Sequence, residues 1–253
     1  MTRLTTRAGV ILAAIVLWWL IADVVFAANP VVSKMGPAST FTGLVRLLGE
    51  PTFLDAISVS LYRLLAGLGL GVLIGIPLGA LFGSRGIVEQ ATDPIVQLLR
   101  MTSPLAWAPL ALVLLGTGSG SVIALIALAA VWPIVLGVSA GVRALDPGFA
   151  AVARSLGATR WETARSTTIP ALAAPVTGAI RVALGISWVV LVPAEMLGVT
   201  NGLGYAVLNS RDNVDYSGLA ATMLAIGLLG FLLDRVFRGL HNLVLSRTGR
   251  QNA

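Results

Sequence analysis

Six long apolar runs, separated by short polar and mostly basic segments, limit what this chain is able to fold into. They fall at about 8–28, 62–83, 94–116, 121–143, 176–198 and 216–237. Each approaches or exceeds the ~20 residues a helix needs to cross the hydrocarbon core of a bilayer. Inside that core every backbone N–H and C=O must be satisfied within the protein, so runs of this length are helices. Only 11% of the residues are charged and 57% are hydrophobic, whereas a soluble domain carries about a quarter charged residues. The predicted class is an all-α membrane protein, with one transmembrane domain over 1–253 and six transmembrane helices.

The net charge of +6 raises the question of nucleic acid. The basic residues alternate with apolar runs instead of clustering on one domain, so membrane topology explains them and no nucleic-acid partner is expected. With both termini in the cytoplasm, 12 of the 17 Lys and Arg residues fall at or near the inner side; Lys34, Arg46, Arg63 and Arg211 fall outside. The first run also has signal-peptide features, with Val25-Phe26-Ala27 as a poor cleavage site; its length and Trp18 and Trp19 favour a retained span.

The residue inventory excludes several chemistries. There is no cysteine, hence no disulfide, iron–sulfur cluster or thiol nucleophile. The single histidine, His241, is expected in a solvated tail and builds no metal site alone. Lys34 is the only lysine and lies between Ser33 and Met35, so the chain has no Gly-Lys-Ser/Thr phosphate loop. No paired carboxylates, histidine cluster or nucleophile–base set points to a membrane enzyme.

Within the runs, a few positions carry possible function. Glycines 67, 71, 75, 79 and 83 recur every four residues along one helical face, where small residues let another backbone approach. They make either a sliding seam or, on the pattern alone, static packing. The segment 29–61 is mixed and punctuated by Pro30, Pro37 and Pro51. Its residues 40–48 suit a surface-lying helix or an ordinary connecting one. Asp93-Pro94 reads as the start of the third span, which Pro104 and Pro109 should kink. Broken helices in transporters often flank a substrate path. Ser103, Trp107, Trp132, Ser187, Trp188 and Glu195 are therefore the candidate lining residues. Glu195 has a second reading as a cross-link between helices, because a carboxylate near a membrane helix end needs a partner or water.

The polar stretch 144–175 carries the most consistent local signals. Asp146 and Pro147 read as N-cap and first helical residue, and Gly157 as the stop of that helix. Thr159 and Glu162 have capping-box spacing, which starts a second helix near Arg160; Pro170 is expected to end it. The result is two short helices joined by a glycine turn between membrane spans.

The segment ARSLGATRWETARSTTIPAL within this stretch resembles the cytoplasmic EAA loop of ABC importer permeases, with Gly157 and Pro170 at the family's glycine and proline. The family's leading Glu-Ala-Ala falls on Ala151, Val152 and Ala153, so its glutamate is absent. RMTSPLAWAPLALVLLGTG (100–118) and ISWVVLVPAEMLGVTNGLGY (186–205) resemble the branch importing nitrate, sulfonates, taurine or bicarbonate. The resemblance implies a type I importer permease fold in the bacterial plasma (inner) membrane, not itself an enzyme. It implies two partner ATPase subunits, which bind ATP and Mg, a second permease copy (commonly identical) and an extracytoplasmic solute-binding protein. Arg154, Ser155, Leu156, Gly157, Ala158, Thr159 and Arg160 would then form the ATPase-coupling site. The cargo suggested is a small oxyanion or sulfonate, with an uncharged organic solute such as a vitamin precursor as runner-up. An ion-coupled secondary transporter is a further alternative, but only Asp23 and Glu195 stand out as charges at membrane depth.

Overall fold

The computed structural model describes residues 2–84, 94 and 96–247, and the described residues form helices and turns without a strand. In chain order, α1 is Thr2–Trp19, running on into a π-helical turn at Leu20–Val25. α2 is Pro37–Leu48, α3 is Pro51–Ser84 and α4 covers 96–101. A 3₁₀ turn at Pro104–Trp107 leads into α5 (Ala108–Leu115), followed by α6 (Ser119–Arg143) and α7 (Pro147–Ser155). α8 (Arg160–Thr163) continues through a π-helical turn at Ala164–Thr168 into α9 (Ile169–Gly198). α10 (Leu203–Asp212) and α11 (Tyr216–Arg247) complete the chain.

Among the described residues, four helices are long and apolar enough to cross a membrane: Pro51–Ser84, Ser119–Arg143, Arg160–Gly198 and Tyr216–Ser246. Gly9–Val25 and Pro104–Leu115 are shorter apolar helices within the first and third runs. Several expected boundaries move. The helix of the second run starts at Pro51 instead of 62, because a proline at the first helical position begins a helix as readily as it ends one. The third run is not one helix. Pro104 offers no N–H and holds Ser103 at φ −56°, ψ 131°, so the chain leaves the helix there. Asp93, the expected cap of that run, lies outside the described residues, as do Arg85 and Arg250. Pro170 does not end the second loop helix: it sits in the first turn of α9, and the chain stays helical from Arg160 to Gly198. The basic tail is helical to Arg247.

The chain divides into two compact units, residues 1–60 with 200–229, and residues 61–199 with 230–253. In the second unit α6 lies between α3 and α9. A β-carbon placed on Gly67, Gly71, Gly75 or Gly83 of α3 would come within 2.5–2.8 Å of Ile126, Ala130, Ile134 or Val142 side chains on α6. On the other side of α6, a β-carbon on Gly137 would lie 2.5 Å from that of Ala179 on α9. Apolar burial gives little drive between helices in lipid, so close van der Waals contact of this kind supplies much of the cohesion. Leu64, Ile126, Ile134, Ala183 and Leu191 are wholly buried in this packing.

In the first unit, the Ser60 hydroxyl accepts the Leu203 N–H at 2.8 Å. Gly43 of α2 rests against the Ser217 and Ala221 region of α11. Arg46 of α2 pairs with Asp215, which also accepts from the Ser217 hydroxyl and the Gly218 N–H at the start of α11. Burial pushes the Asp215 carboxyl up, but these donors outweigh it and hold the group below its usual range.

Candidate coupling surface and the buried ion pair

The loop 144–175 folds as a self-contained helix–turn–helix. The Asp146 carboxylate accepts the Gly148 N–H at 2.8 Å and caps α7. At the far end the Leu156 N–H returns to the Val152 carbonyl, the Gly157 N–H to Arg154 and the Ala158 N–H to Ala153, closing the helix. That closure places Gly157 at φ 88°, the left-handed region an L side chain enters only with strain. Thr159 and Glu162 form a complete capping box: the Glu162 carboxylate accepts the Thr159 N–H at 2.8 Å, and the Thr159 hydroxyl accepts the Glu162 N–H at 3.2 Å.

With the backbone satisfied locally, the side chains are left facing outward. Arg154, Ser155, Leu156, Gly157, Thr159 and Arg160 are exposed and Ala158 is half-buried. Leu156 is 83% exposed, and Val152 and Trp161 are also largely exposed. Three large apolar side chains held outward around a rigid turn form a binding surface more readily than a solvated one. The expected coupling residues are thus brought together on one turn. Val152 and Trp161 belong with them and were missed; a tryptophan one residue inside a capped helix in a polar loop was the available signal.

The candidate lining residues are dispersed by comparison. Ser103 is exposed at the break before Pro104, and Trp107 packs on the core of the second unit. Trp132 is half-buried on α6. On α9, Ser187 is wholly buried and its hydroxyl has no partner among the described residues. Trp188 lies so close to Gly230 that a β-carbon there would meet the indole Nε1 at 2.5 Å. A cavity of about 90 Å³ beside Trp188 is bordered by Arg181 and Asp234, themselves paired at 2.9 Å. Thr177 and His241 are also hydrogen-bonded, at 2.6 Å, so His241 is docked on α9 and not in a free tail.

Glu195 lines no open surface here. It is wholly buried, and its carboxylate accepts from Arg63 Nη1 at 2.7 Å. Arg63, counted on the outer side from sequence, is itself buried and donates from Nε to the Ser119 hydroxyl at 3.0 Å. Beside this pair the Gly118 N–H donates to the Gly198 carbonyl at 3.1 Å. The start of α6 and the end of α9 are therefore tied to α3 at the level of Arg63. Among the described residues, no three of His, Asp and Glu gather to hold a metal ion.

The taurine transport system permease protein TauC of Escherichia coli (strain K12) is 30% identical over 243 residues, covering 94% of this chain and 88% of that protein. The nitrate import permease protein NrtB of Synechocystis sp. is 33% identical over 189 residues, covering 75% and 69%. Among solved structures, an inward-facing MetNI methionine ABC transporter superposes with a TM-score of 0.65 at 17% identity, covering 76% of this chain and 96% of the other. The family described as the binding-protein-dependent transport system inner membrane component matches residues 71–250. With its apolar helices and exposed loop surface, this chain belongs to that family, as a membrane-embedded transporter permease and not an enzyme.

Proposed function

We propose that the chain forms the translocation path of an ATP-driven importer and is worked from the cytoplasmic side by two ATPase subunits. The carrying observation is the self-capped turn at Gly157, with Leu156, Val152 and Trp161 facing outward. The loop spends its hydrogen bonds on itself, which leaves an apolar surface to insert into a partner. The chain has no phosphate loop, so ATP and Mg belong to that partner. Because α8 passes without a break into α9, displacement of the loop by ATPase closure is delivered to a membrane span directly. A second, identical permease copy completes the path, and an extracytoplasmic solute-binding protein delivers the cargo. Both termini lie in the cytoplasm, the orientation favoured by the arginine distribution. The names of TauC and NrtB support a small oxyanion or sulfonate as cargo.

The test is purification of tagged protein in mild detergent from its native membrane, with co-purifying chains identified by mass spectrometry. Wild type should bring down a soluble chain bearing a phosphate loop, and Gly157→Glu should lose it while remaining folded. If well-folded wild-type protein carries no such chain, the proposal fails.

A further inference from the structure

The first unit contains a cleft of about 310 Å³ that includes none of the candidate lining residues. It is bounded by the end of α2, the start of α3 and the face of α10. Its floor is apolar, with Leu47, Ala56 and the buried Phe53. Glu50, Asp55, Tyr205 and Asn209 supply its polar walls. No Lys, Arg or His lines it, although the chain carries a net charge of +6.

Asp55 has no ion pair among the described residues, and Glu50 has only a long one. Arg46, the nearby cation, is engaged by Asp215 and approaches Glu50 only to 3.9 Å, with both side chains about half exposed. The carboxylate of Asp55 has no partner among the described residues; the Ser58 hydroxyl donates to its backbone carbonyl instead. The Tyr205 hydroxyl likewise has no partner among the described residues. An apolar floor with acidic and hydroxyl walls matches one kind of occupant: a cation on a methylene stem. The stem covers Phe53 and Leu47 while the head meets the carboxylates. The volume lies at the small end of ligand pockets, about 300–1,000 Å³, which suits a single inserted side chain.

We propose that this cleft receives a lysine or arginine side chain projecting from the solute-binding protein. The inference rests on the function proposed above, whose orientation puts this end of α2 and α3 on the extracytoplasmic side. Complementary charge at such a contact chiefly sets encounter rate and register, so the cleft orients the delivering protein on the permease.

The absence of native cysteine gives a clean test. Asn209→Cys at the cleft and Val214→Cys, at an exposed position of the same unit, each carry a benzophenone maleimide. They are irradiated in intact cells, and the adducts are sequenced. The expected adduct at residue 209 is a solute-binding protein, joined within a segment containing lysine or arginine. Adding Asp55→Asn and Glu50→Gln should cut its yield about tenfold without lowering the unfolding temperature of the purified protein. An undiminished adduct in that background overturns the cleft assignment while the proposed function stands. So does an adduct at 214 with none at 209. If free butylamine alone protects Asn209→Cys from labelling in cells stripped of binding proteins, the occupant is a small cation and docking is overturned. If neither position captures a solute-binding protein, the delivering partner is lost, and this part of the proposed function fails with the cleft.

Discussion

The two ends of the continuous helix Arg160–Gly198 are built on opposite plans. At its start the capping groups are satisfied by near neighbours, Thr159 with Glu162 and the Ser166 hydroxyl with the Glu162 carbonyl, while Trp161 stands in the open. At its finish Glu195 is wholly buried and reaches 132 residues back along the chain to Arg63. One end is finished within itself and presents an apolar surface; the other has no meaning without the rest of its own chain. Local closure leaves an apolar surface open, and long-range closure makes a joint.

The sharpest way to break this contrast is to remove one member of the joint. Glu195→Ala leaves the Arg63 guanidinium buried and uncompensated, which should cost about 3–5 kcal/mol in thermal unfolding of the purified protein. Replacing both, as Arg63→Met with Glu195→Leu, should recover most of that loss, since a buried pair exchanged for well-packed apolar groups is often neutral. A double variant as unstable as the single one would show that the carboxylate serves something other than Arg63.

These two regions were unequally legible from sequence. The loop was readable because its determinants lie within a few residues of one another: Asp146 before Pro147, Thr159 three before Glu162, and a glycine where the backbone turns left-handed. The joint was legible only in part: Glu195 could be read as a cross-link between helices, but Arg63 sits on a different helix and only packing shows that each is the other's solution. Prolines misled in one direction. Pro51 and Pro170 read as interruptions, yet Pro51 opens α3, where the missing N–H costs nothing, and Pro170 is carried inside a continuous helix directly after the π-helical turn at Ala164–Thr168. Pro104 acted as expected, because it stands where a helix would need its N–H.

A gentler change sharpens the local end. Thr159→Ala removes the cap of α8 and should cost about 1 kcal/mol, with the loss confined to faster amide exchange over residues 159–168. Global destabilisation by several kcal/mol would mean the turn is also held from a distance. The smallest effect on stability is expected at Trp161. Trp161→Ala should stay within about 0.5 kcal/mol of wild type, yet weaken co-purification of the ATPase. A large loss of stability there would place the indole among the chain's own contacts and dissolve the contrast.

The glycine ladder between α3 and α6 has a consequence for how the gene is able to change. Each residue of an α-helix advances the azimuth by about 100°. A single codon inserted between Gly67 and Gly83 would therefore swing every later glycine off the seam and bring a leucine, isoleucine or phenylalanine against α6. Substitutions on the outer face of α3, such as at Gly69, where a β-carbon meets nothing within 4 Å, leave that registration intact. Length variation among descendants of this sequence is thus confined to the segments between the spans, while the ladder itself is inherited at constant length.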